Sequence, residues 1–156
     1  GGGSELVAEV ERRYMNGEGD ALAHNHMGVV AFYRQQTKPA ATYFLQACSK
    51  DRFSTPGFIR NFVAAQSAVD PTAVAELLLN AASMEMNGHP STEGDALYLE
   101  LVGYHSSQGE GGAAYSVLVR GLLRVPGSYT LWNTFVEHVG RTHGHTPIYI
   151  ITRLIP

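Results

Sequence analysis

Several things are scarce in this chain, and each scarcity closes off a class of protein. There is one cysteine, Cys48, in 156 residues, so no internal disulfide framework can form and a reducing, intracellular compartment is expected. Lysine occurs only at positions 38 and 50, and the formal net charge is −3. A phosphate-tracking groove or an anionic-lipid surface needs a concentration of positive charge that is missing here, so neither nucleic acid nor membrane is expected as a partner. No apolar run approaches the roughly 20 residues that span a bilayer. No leader-type stretch and no N-glycosylation sequon occur. A glycine-rich phosphate loop, a serine elbow and a paired carboxylate with a positioned partner are also lacking, so no enzyme and no cofactor are expected.

What is present is helical periodicity. Hydrophobic residues make up 44% of the chain and charged residues 16%, enough apolar material for a real core at this length. The opening GGGS has the composition of a linker or an expression scar, and residues 1–4 are set aside. Ser4 can cap a first helix over 5–16 with Leu6, Val10 and Tyr14 on one stripe. Asp20 can cap a second over 21–35, carrying Leu22, Met27, Val30, Ala31 and Tyr33. Thr37-Lys38-Pro39 opens a third that runs to Lys50 through Tyr43, Phe44 and Ala47. A fourth comes after Ser54-Thr55-Pro56 with Phe58, Ile59, Phe62 and Val63. Asp70-Pro71, a capping carboxylate with proline in the first turn, is the clearest helix start, and that fifth helix, with Val74, Leu77, Leu78 and Ala81, runs to Asn87-Gly88.

The stretch 94–126 reads as two helices folded back across Gln108-Gly109, and 128–142 as an eighth with Trp132, Phe135, Val136 and Val139 inward. Thr146-Pro147 opens IYIITRLI, whose β-branched composition suits a strand equally well on local grounds. It is assigned to a ninth helix because the repeat places one there.

The repeat is visible in register. Gly28, Val63, Val102 and Val136 are equivalent points, 35, 39 and 34 residues apart. Twelve residues after the first three lie Ala40, Ala75 and Ala114; four further on are Phe44, Leu79 and Leu118; three beyond those are Ala47, Ala82 and Gly121. Antiparallel helices approach to about 8–10 Å only where small side chains occupy the crossing, so these alanines and glycines are expected at the contacts. One such pair cannot bury its apolar faces alone, and neighbours must stack.

This spacing resembles the tetratricopeptide repeat, most strongly at Met27-Gly28, Ala40, Phe44 and Ala47 and again at Leu101, Ala114, Leu118 and Pro126. The resemblance implies an all-α fold of antiparallel helix-hairpin repeats, an α-solenoid of about 3.5 repeats after a preceding helix. Residues 5–156 would be a fragment of a longer array, since the chain stops at Ile155-Pro156 with no polar capping unit. More narrowly, residues 96–144, with their LWN-x-F helix, and the later Thr152-Arg153-Leu154 resemble the tetratricopeptide subunit of transcription factor IIIC. That implies a nuclear interaction scaffold with transcription factor IIIC and IIIB components as partners, helping to assemble factor IIIB at RNA polymerase III promoters. Two other functions compete: an RNA-binding module of the pentatricopeptide kind, which the charge argues against, and a tetratricopeptide adaptor in another complex.

The inner surface of such an array is lined by the first helix of each pair. The candidates are Asn25, Val29, Phe32 and Tyr33 in the first unit; Arg60, Ala64 and Ser67 in the second; and Leu99, Gly103, Ser106 and Ser107 in the third. One arginine and one asparagine do not make the positive clamp that grips a peptide carboxylate, so aromatic anchors such as Phe32, Tyr33 and Tyr98 are the expected contacts. Tyr98 serves equally as packing between repeats. His24-Asn25-His26 offers no metal site, because helical residues two apart point about 200° apart. His138, His143 and His145 are candidate ligands that lack a convergent fourth. Cys48 is expected as a buried packing residue.

Overall fold

A computed structural model describes residues 2–14, 19–86 and 94–142, whose regular secondary structure is all helical, with no strand among them. Eight α-helices run in order: α1 Gly2–Tyr14, α2 Ala21–Tyr33, α3 Thr37–Lys50, α4 Pro56–Val69, α5 Val74–Met86, α6 Asp95–Ser107, α7 Gly111–Arg124 and α8 Tyr129–Thr142. The expected ninth helix lies outside the described residues. The helices cluster into two units, residues 1–90 and 91–156.

In the first unit, Asp20 caps α2 by accepting from the Ala23 N–H at 2.8 Å. A short turn then folds α3 back on α2. Gln35 takes a left-handed conformation (φ 61°), and the Gln36 N–H reaches the Ala31 carbonyl at 2.9 Å, which closes the last turn of α2. α3 packs against both α2 and α4, and α5 lies on α3 and α4. The link from α3 to α4 bends through Arg52 and Phe53, both left-handed. Phe53 is wholly buried, and its N–H donates to the Cys48 carbonyl at 2.8 Å. Burying a whole aromatic side chain, a gain of about 1.5–3 kcal/mol, holds a backbone that these residue types would otherwise avoid.

Close helix approach is made by the small residues. Ala40 and Ala47 are wholly buried, and a Cβ built on Gly28 would lie 2.5 Å from the Phe44 ring. The fifth helix keeps only part of its expected face. Asp70 accepts from the Thr72 N–H at 3.1 Å and from its hydroxyl at 2.7 Å, and the chain makes one 3₁₀ turn, Pro71–Ala73, before α5 begins. Such a turn advances about 120° per residue rather than about 100°, so three residues rotate the rest of the helix by roughly 60°. Val74, Leu78 and Ala82, all expected on the apolar side of this helix, form its buried stripe, whereas Ala75 and Leu79, expected at the helix contacts, are only half-buried.

The second unit repeats the hairpin. Gly109 is left-handed (φ 73°), and the Glu110 N–H closes on the His105 carbonyl at 2.9 Å. α7 folds back on α6, and α8 packs against both. Ala114, Leu118, Leu97 and Leu101 are wholly buried. Gly121 supplies the notch: a Cβ there would lie 2.9 Å from Tyr98 Cβ and Cγ and 3.3 Å from Leu131 Cδ1. Ser128 ties α8 to α6, accepting from the Leu131 N–H at 3.1 Å and donating to Asp95 Oδ2 at 2.8 Å. The inward face of α8 is not the expected one. Leu131 and His138 are its buried residues, whereas Trp132, Phe135, Val136 and Val139 are half-exposed. The Trp132 indole donates to the Pro126 carbonyl at 2.9 Å, which turns the ring toward the preceding loop.

Candidate interaction groove

Position along α2 decides what its residues can offer. Val29, Phe32 and Tyr33 are spaced three and four apart and share one face. That face looks across to Asn61 and Ala64 on α4, with Phe44 of α3 below, around a groove of about 200 Å³. Tyr33 is 82% exposed and Phe32 39%, both available to a partner. The six lining residues include no Asp, Glu, Lys, Arg or His, so the groove suits aromatic and apolar contact with hydrogen bonds from one amide and one hydroxyl.

Asn25, expected on this surface, is instead buried. Its Oδ1 accepts from Asn61 Nδ2 at 2.9 Å, a bridge between α2 and α4. Burying an amide is tolerable once it is paired, so Asn25 works as a clasp beneath the groove. Arg60 and Ala64 are exposed on α4, and Ser67, one turn further on, is half-buried. In the second unit Leu99 is half-buried, while Gly103, Ser106 and Ser107 are exposed along α6; the Ser107 hydroxyl donates to the Tyr104 carbonyl at 2.7 Å. The structure thus brings four candidates together (Val29, Phe32, Tyr33, Ala64) and adds Asn61 and Phe44. Asn61 carries only a faint signal in the sequence, being one turn before Ala64. Phe44, expected in core packing, both fills the Gly28 notch and floors the groove.

His24 is wholly buried; its Nδ1 meets the Asp20 carbonyl at 2.9 Å, so that nitrogen carries the proton. His26 is exposed beside Leu6 and Met27. His138 stacks near Tyr115 at 6.1 Å, and His143 and His145 lie outside the described residues. Among those residues no three His, Cys, Asp or Glu side chains are placed to hold a metal ion, and no helix is long and apolar enough to cross a membrane. Burial first, and the nearby Asp51 charge second, push the Cys48 thiol up to about 12; at neutral pH it is a protonated, buried packing group. Burial likewise raises Tyr98, against the opposing pull of Arg124 and Arg120. Comparison of the chain with protein-family models, curated proteins and solved structures finds no match.

Proposed function

We infer that this chain is a protein–protein interaction scaffold made of stacked tetratricopeptide-like helix pairs, and that it performs no chemistry of its own. The observation that carries this reading is the groove between α2 and α4. Two successive first helices of the expected repeat present Val29, Phe32, Tyr33 and Ala64 to a common space. One recurrence supports the repeat itself. Gln35 and Gly109 make the same left-handed closure 74 residues apart, as Gly28 and Val102 are 74 apart in sequence.

On the resemblance of residues 96–144, the scaffold is a segment of the tetratricopeptide subunit of transcription factor IIIC. Its partners are then factor IIIC and IIIB components in the nucleus. The test is capture from nuclear extract by the intact chain and by Phe32→Ala/Tyr33→Ala. Recovery of polymerase III initiation factors by the wild type, with a loss of at least about tenfold in the double variant as expected for aromatic anchors, supports the reading. Equal capture by both proteins removes the groove from it. Failure to capture any initiation factor, with salt-sensitive binding of single-stranded RNA in its place, replaces it with the RNA-binding alternative.

A further inference from the structure

The first helix carries an apolar stripe that its own unit leaves open. Leu6 and Val10, four apart on α1, are 66% and 45% exposed. Together with Met27, Val30 and His26 of α2 they line a second trough of about 180 Å³, separate in its lining from the α2–α4 groove. The inner edge of α1 is fixed to α2 by the Arg34–Glu11 ion pair at 2.8 Å. On its other flank α1 carries Glu5 and Glu9 toward its start and Arg12 and Arg13 at its end, residues three and four apart that share a side of the helix. All four are exposed. The Arg12–Glu9 contact within the helix is 3.9 Å long with both side chains mostly in solvent, a geometry that holds neither group firmly.

A helix that runs from acidic to basic beside an apolar stripe is complementary to a reversed copy of itself. Laid antiparallel about a two-fold axis near residue 8, Leu6 of one chain meets Val10 of the other and the reverse, and Glu5 of each comes beside Arg12 of its mate. A two-fold interface needs this self-complementarity, since one patch must serve both sides. A parallel arrangement would set Glu5 against Glu5 and Arg12 against Arg12. We propose that the exposed face of α1, with the trough it shares with α2, is a homodimer interface in which two copies of this chain pair their first helices antiparallel. The contact area of one helix pair is small, so the dimer is weak and depends on concentration.

Sedimentation velocity on the full chain across a dilution series tests this. The wild type should move from one chain's mass toward two with rising concentration, and Leu6→Glu should remain a monomer at every concentration with unchanged helical circular dichroism. Charge exchange supplies a test independent of that substitution. Glu5→Arg/Glu9→Arg makes the flank wholly basic and Arg12→Glu/Arg13→Glu makes it wholly acidic, so each should be monomeric alone and the two should associate when mixed. A wild type that stays monomeric throughout overturns the proposal, as does a dimer that survives Leu6→Glu. So does a mixture of the two charge variants that associates no better than either does by itself.

Discussion

Adding a single methyl group to the protein should have opposite consequences at two glycines of the same unit. Gly103 and Gly121 both lie inside helices, α6 and α7. A Cβ built on Gly103 meets nothing within 4 Å, so Gly103→Ala gains only the helical preference of alanine, about 0.5–1 kcal/mol. The same change at Gly121 gains the same preference, but its Cβ falls 2.9 Å from Tyr98 Cβ and Cγ and 3.3 Å from Leu131 Cδ1. Carbon atoms rest at about 3.5–4.0 Å. Tyr98 Cβ sits one bond from its own backbone and cannot swing aside, so the two helices must separate.

Overpacking of this kind costs about 1–3 kcal/mol. Because the propensity gain is common to both variants, the difference between them isolates the contact, and Gly121→Ala should be about 1–3 kcal/mol less stable than Gly103→Ala. Chemical denaturation monitored by far-ultraviolet circular dichroism measures it. Equal midpoints for the two variants would refute the claim that helix separation here is set by a missing side chain.

The same geometry sets two further outcomes. Gln35→Gly should raise stability by about 0.5–1 kcal/mol in denaturant melts, because the left-handed conformation of Gln35 costs about 1–2 kcal/mol and only part of the relief is lost to glycine's freedom in the unfolded chain; Gly109 already makes the equivalent turn with no such penalty. For Cys48, the unfolded thiol loses its proton near 9.0, whereas the folded thiol keeps its proton up to about 12. The native state then binds more protons across that window, so stability is full below pH 9 and falls as pH rises toward 12. Thermal melts of the wild type and Cys48→Ala should diverge there, the wild type losing stability faster; parallel curves would contradict a thiolate-excluding site.

Much of the helical order is legible because caps and small residues are local signals. Asp20, the Gly109 turn, and Ala40 and Ala114 with their large partners four residues on need only the chain's own spacing to be read. The face of α5 is only half-legible: Val74, Leu78 and Ala82 read as inward and are buried, whereas Ala75 and Leu79 read as contacts and are not. Asp70-Pro71 announces a helix start, but nothing local distinguishes an α turn from the 3₁₀ turn that precedes Val74. Asn25 reads as solvent-exposed because an asparagine on a polar-looking face usually is, and its partner Asn61 lies 36 residues away, beyond any periodicity window. The inward face of α8 misleads for a related reason. Its largest residues read as its deepest, whereas the Trp132 indole is drawn off by the Pro126 carbonyl and Leu131 takes the interior. The groove is half-legible, since Phe32 and Tyr33 stand out as surface aromatics while the floor beneath them belongs to a helix that reads wholly as core.

That floor has a consequence of its own. The Phe44 ring occupies the place where a side chain on Gly28 would begin, and it also bounds the space beneath Phe32 and Tyr33. Anything lodged there would press on a side chain that has no slack behind it, and the push would pass straight into the main chain of α2. The α-protons of Gly28, beside the aromatic ring, are thereby a native reporter of occupancy. Their resonances should move when the groove fills, without any label attached to the protein.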